Sequence, residues 1–97
     1  MTNEDIIAKM QEAVTNAGGL DKSVKFDFGD DGVIHAAGTD VSGEDNDADC
    51  TISVSKDNFI KLAGGDLDPM MAFMSGKLKI AGDMSVAMGL QKLFSSM

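Results

Sequence analysis

Ninety-seven residues suffice for one ordinary small domain, 1–97, with no room for a second core. Sixteen Asp and Glu face eight Lys and no Arg, and the net charge of -8 excludes nucleic acid as a natural partner. Cys50 is the single cysteine, which rules out an internal disulfide and a cysteine-based zinc site. A reducing cytoplasm is therefore the expected compartment. The polar, acidic start lacks signal-peptide regions, and no apolar run is long enough for stable membrane insertion.

The first element reads as a helix. Thr2 or Asn3 can cap it, with Asp5 placed to bond back. Ile6, Met10, Ala13 and Ala17 recur at helical spacing, Ile7 and Val14 widen the stripe, and Gly18-Gly19 ends it. This helix is expected to pack as a lid on one face of the rest of the domain. From Ser23 the period changes to two, with Val24, Phe26 and Phe28 alternating against Lys25 and Asp27. Asp30-Asp31-Gly32 supplies hairpin chemistry, and Val33 to Gly38 forms a second strand. Its inward set is Ile34, Ala36 and Gly38, with His35 outward.

Thr39 to Asp49 is an acidic loop with room for a short strand around Val41. Cys50, Ile52 and Val54 then alternate with Thr51, Ser53 and Ser55, so Cys50 is expected to be a buried, unreactive thiol. Two short helices come next. Ser55 or Asp57 caps the first, with Phe59, Leu62 and Ala63 on one face and Gly64-Gly65 as its stop. Asp68 and Pro69 open the second, where Met70, Phe73 and Met74 share a face that Met71 lies off. Lys77 to Ile80 alternates as a strand, and Gly82-Asp83 leads into a final helix from Met84. That helix carries two apolar stripes: Val86, Leu90, Leu93, Phe94 and Met97, and then Met84, Ala87 and Met88 leading to Gln91. A helix apolar over most of its circumference needs cover on more than one side.

Chemistry has little to stand on. His35 and Cys50 are the neutral-pH candidates, and strand parity sends them to opposite faces, so no catalytic residue is assigned. Asp45-Asn46-Asp47-Ala48-Asp49 begins like a calcium loop. The required glycine would fall at Cys50 and the bidentate glutamate at Lys56, so no metal site is assigned and a solvated loop is expected. No cofactor is implied. Six of the eight methionines lie between Met70 and Met97, a composition suited either to core filling or to surfaces that repack around apolar partners.

Three runs carry a resemblance: Ala48 to Val54 with Asn58 to Leu62 and Gly65; Asp68 to Asp83; and Met84 to Leu93. In order and spacing they resemble the sterol carrier protein 2 family over about half the chain, and standalone bacterial-type members fit better than the basic, peroxisomal ones. The ending Ser95-Ser96-Met97 is not a peroxisomal address, and the stretch before Cys50 is short enough to predict one reduced strand. The resemblance implies an α/β (α+β) fold. A small, largely antiparallel sheet of four to five strands is covered on one face by helices, with an apolar tunnel between them.

It also implies a non-enzymatic carrier of a fatty acid, fatty acyl-CoA, sterol or phospholipid. The alternative is an accessory or scaffold that presents an apolar substrate, such as a quinone intermediate, to a partner enzyme. Carried onto this chain, the wall comprises Phe59, Leu62, Met70, Phe73, Met74, Leu78, Ile80, Met84, Ala87, Met88, Leu90 and Phe94, with Gln91 meeting a polar head. Phe26, Phe28, Ile34, Ile52 and Val54 are expected to form the dry core beneath. The acidity argues against collision with anionic membranes, and the oligomeric state stays open.

Overall fold

Helix α1 (Asn3–Asn16) starts at Thr2, whose hydroxyl accepts from the Asp5 N–H at 3.2 Å while its own N–H donates to the Asp5 carboxylate at 3.0 Å. The computed structural model describes residues 2–95, and the side chains of Ala87, Leu90, Gln91, Lys92, Phe94 and Ser95 lie outside the described residues, as do Ser96 and Met97. Ile6, Met10, Ala13 and Val14 form the buried stripe of α1. Ala17, expected on that stripe, is exposed because it caps the helix end.

Strand β1 (Leu20–Asp27) begins ahead of Ser23, where alternation first becomes visible. Its pairing with β2 (Val33–Gly38) is irregular between Leu20 and Val24, and that break hides the period. Phe28 falls just past the strand yet stays buried, and a 3-10 turn over Gly29–Asp31 joins the two strands. On β2, Ile34 and Ala36 point inward. Gly38, expected inward, is exposed, because it makes the tight turn into the three-residue strand β3 (Asp40–Ser42). This short strand pairs antiparallel with β2, and Gln11 on α1 adds to the ladder, donating to the Thr39 carbonyl and accepting from the Val41 N–H at 3.2 Å.

Strand β4 (Cys50–Val54) runs parallel to β1, and β5 (Leu78–Gly82) runs antiparallel to β4. The five strands are arranged in the order β3-β2-β1-β4-β5, mixed but largely antiparallel. Register aligns the apolar rows across the sheet: Val24 opposes Ala36 and Cys50, and Phe26 opposes Ile34 and Ile52, which in turn opposes Ile80. Helix α1 packs over β2 and β3, and helix α4 (Met84–Ser95) over β1, β4 and β5. Between β4 and β5 come α2 (Lys56–Ala63), which packs on α4, and α3 (Pro69–Met74), which packs on β5. Ser55, not Asp57, caps α2, its hydroxyl accepting from the Asn58 N–H at 3.1 Å.

The other sheet face is polar. The acidic segment 43–49 is tied back toward it: Lys25 Nζ meets Asp45 Oδ1 at 2.8 Å, and His35 Nε2 lies 3.0 Å from the Asp47 carbonyl. The Ser23 N–H donates to Asp49 at 2.9 Å. A stretch that composition marks as free loop is thus anchored at three points.

Cys50 lies in the central row, fully buried, and burial pushes its thiol up from the ordinary value. A thiol reagent is expected to leave the native protein unmodified and to label one thiol after denaturation. Fast labelling of the native form would contradict this placement.

Asp83 opens α4: its carboxylate accepts from the Ser85 N–H at 2.9 Å and the Ser85 hydroxyl at 2.6 Å, and it pairs with Lys22 of β1. The Lys22 ammonium, then the Ser85 donors, hold this carboxyl well below the usual carboxylate range. A group depressed on folding contributes stability above its unfolded value of about 3.9, and loses it as pH falls toward its folded value. Urea midpoints measured from neutral pH downward should therefore fall below about pH 4. That acid limb should be shallower in Asp83→Asn.

Candidate functional site

Helix α3 is six residues long and defined at both ends. Asp68 accepts from the Met70 N–H at 2.8 Å, and Pro69 takes the first-turn position that needs no donor. At the other end Gly76, at φ 78°, lets its N–H reach the Phe73 carbonyl at 3.2 Å and the Lys77 N–H reach the Ala72 carbonyl at 2.9 Å. Only Ala72 is buried on this helix. Met70 and Met74 project about 160–200° away from it, given 3.6 residues per turn. They are 66% and 79% exposed. Met71 and Phe73 flank Ala72 and are exposed too.

Helix α4 repeats the theme. Leu93 is buried and Val86 partly buried against the core, whereas Met84 is 50% and Met88 80% exposed. The Phe59 ring meets Phe26 edge-on at 5.0 Å and Phe28 at 5.2 Å, and Leu62 and Leu78 are buried in the same cluster.

The expected wall residues therefore fall into three groups. Phe59, Leu62 and Leu78 are buried in one cluster with Phe26, Phe28, Ile34, Ile52 and Val54. Ile80 is half-buried, and Met70, Phe73, Met74, Met84 and Met88 are exposed on two helices that both pack against β5. Ala87, Leu90, Gln91 and Phe94 lie outside the described residues. Met71, expected to lie off the site, is as exposed as its neighbours. Its signal was the unbroken run of large apolar residues around one alanine.

Beside this surface lies an open cleft of about 310 Å³, lined among others by Ser53, Ser55, Lys77 and Lys79. No helix among the described residues is long and apolar enough to cross a membrane.

Comparison with known proteins gives this arrangement a lineage. Hydroxysteroid dehydrogenase-like protein 2 of Bos taurus is 54% identical over 56 residues, which are 57% of this chain but 13% of that protein. The human counterpart is 52% identical over the same length, so the match spans only a small part of these curated relatives. Sterol carrier protein 2 of Aedes aegypti, solved with palmitate, shares the fold at a TM-score of 0.81 and 15% identity, covering 97% of this chain and 94% of that one. A ubiquinone synthesis protein, UbiJ-SCP2, superposes at a TM-score of 0.72 with 21% identity over 95% of this chain and 91% of its own. The family model described as the SCP-2 sterol transfer family matches residues 5–95, nearly every element of the fold, and the chain belongs to that family.

Proposed function

We propose that this protein is a non-enzymatic carrier that binds one apolar, lipid-like molecule against α3, α4 and β5. One observation carries the reading: Phe73, Met84 and Met88 expose 44–80% of their surface on α3 and α4, two helices that both pack against β5. Contiguous apolar surface facing water is unfavourable and marks a place where something apolar binds. The magnitudes suffice. Each buried methylene gains about 0.8 kcal/mol, so ten of them gain about 8 kcal/mol before the cost of association.

Phe73, Ile80, Met84 and Met88 would contact the ligand, with Phe59, Leu62 and Leu78 as the floor. Ala87, Leu90 and Phe94 belong to the same helix, and Gln91 would meet a polar head. Methionine adapts its shape, so selectivity among fatty acids, acyl-CoA, sterols and phospholipids should be low. Family membership and the palmitate held by the Aedes aegypti relative support this reading.

Solvent extraction and mass spectrometry of the natively purified protein test it, together with displacement of a fluorescent fatty acid by palmitate. Co-extracted lipid and saturable displacement are expected. An empty protein with no displaceable probe would sink the proposal. The likeness to a ubiquinone synthesis protein supports a second reading, in which the chain presents an apolar substrate to an enzyme. Co-purification of a stoichiometric enzyme partner would favour that reading.

A further inference from the structure

Helix α3 gathers three methionines on one side. At 3.6 residues per turn, Met70, Met74 and Met71 fall within an arc of about 100°, turned away from buried Ala72. They are 66%, 79% and 63% exposed. Taking about 200 Å² for each fully exposed side chain, the three present about 400 Å² of apolar surface on one stretch of helix. Each partner in an interface of standard size covers about 800 Å², of which a little over half is apolar. The methionine face supplies nearly all of that apolar share.

The two ends of this face carry opposite charge. Asp66 and Asp68 stand at the start of α3, both exposed. Lys77 stands at its end, also exposed, its backbone held there by the N–H bond to the Ala72 carbonyl. Among the described residues the ion pairs are Lys22–Asp83 and Lys25–Asp45, so none of these three charges is paired. Asp68 gives one carboxylate oxygen to the Met70 N–H and keeps its charge. Six residues of helix span about 9 Å, longer than the screening length of about 8 Å at physiological salt. Each end therefore presents its own sign.

From this pattern we propose that α3 is the contact face of a symmetric homodimer. A two-fold axis through the middle of the helix lays α3 of one copy antiparallel on α3 of the other. Met70 of each copy then meets Met74 of the other, with Met71 beside them. Asp68 at the start of each helix faces Lys77 at the end of the other. A face acidic at one end and basic at the other complements itself under a two-fold rotation, which is what an isologous contact requires. A surface of a single sign would be repelled at one end or the other. Flexible thioethers can repack against one another across such a contact. It uses neither Met84 nor Met88, so dimerisation goes beyond the carrier reading and does not depend on it.

Interfaces of this size bind at about micromolar strength or tighter, so sedimentation velocity of the full chain from about 1 µM upward, at physiological salt, tests the proposal. The sedimenting mass should rise from one copy to two and no further, because an isologous contact is closed. Met70→Asp/Met74→Asp should stay monomeric at every concentration, with its far-ultraviolet circular dichroism unchanged. Lys77→Gln and Asp68→Asn each remove one charge of the reciprocal pairs, and asparagine caps a helix as well as aspartate does. Two symmetric, exposed pairs are worth a factor of about 2–30 in the dimer constant. Each single change should weaken the dimer by that factor, and the two together by no more than either alone. Lys9→Gln makes the same change in net charge on the exposed side of α1 and should leave the constant nearly unchanged.

A native chain that stays monomeric, or one that grows beyond two copies, would overturn the proposal. So would a dimer that survives Met70→Asp/Met74→Asp, additive effects of Lys77→Gln and Asp68→Asn, or an equal loss in Lys9→Gln. A monomer that floats with phospholipid vesicles through Met70 and Met74 would assign the face to a bilayer and overturn it as well. Displacement of the fluorescent fatty acid, read on the same samples, separates the two readings. A native monomer with intact displacement overturns the dimer and leaves the carrier standing; a dimer with no displaceable probe does the reverse.

Discussion

Truncating Phe59 to alanine is expected to cost about 3–5 kcal/mol, the range for removing a fully buried aromatic side chain. Phe59 is 0% exposed, and its ring contacts both Phe26 and Phe28. The loss would include the edge-to-face contacts as well as a cavity beneath α2. A small domain has a total stability of about 5–15 kcal/mol, so the variant should be close to unfolding at room temperature. Urea denaturation monitored by circular dichroism measures this. A loss below about 1 kcal/mol, less than any buried aromatic truncation should cost, would contradict the packing of Phe59 against Phe26 and Phe28.

Gly82→Ala should be the second severe change, by a different mechanism. Gly82 ends β5 opposite Cys50 with φ at 105°, and a Cβ there would lie 2.4 Å from the Asp49 carbonyl oxygen. The backbone conformation alone costs a side chain about 1–3 kcal/mol. The collision adds to this, because the same carbonyl accepts from the Asp83 N–H at 2.9 Å and cannot move without breaking the entry to α4. Gly89→Ala is the natural control. It lies within α4 with nothing near its Cβ, so alanine there should stabilise the protein by about 0.5–1 kcal/mol. The two substitutions are chemically identical and should move the urea midpoint in opposite directions.

Much of this fold is legible in local sequence signals because local physics determines it. Cys50, Ile52 and Val54 alternate without interruption and form the strand they predict. Thr2, Ser55 and Asp68 cap the helices whose starts they mark. What local signals miss lies in distant contacts. The irregular pairing after Leu20 conceals the start of β1, whereas the short strand expected around Val41 is present as β3, paired with β2 and held also by Gln11, some thirty residues earlier. Neither has a periodic signature.

The candidate site was legible in composition but not in orientation. The spacing of Met70, Phe73 and Met74 reads as an inward apolar face, since larger apolar residues are more often buried. The helix instead turns Ala72 inward against β5, where a small residue permits close packing, and leaves the methionines outside. Periodicity identifies a stripe; only tertiary packing decides which stripe is covered. Phe59 and Leu62 give the same helical signal whether they face protein or ligand, so spacing alone does not divide scaffold from wall.

The most direct measurement is a palmitate titration observed through isotope-labelled methionine methyl groups by NMR. If an apolar ligand lies against α4, the methyls of Met84 and Met88 shift and saturate together. Met10, fully buried under α1, stays where it is and serves as the internal reference. Unmoved Met84 and Met88 signals at saturating palmitate, or a shift confined to Met10, would contradict a ligand site on this face.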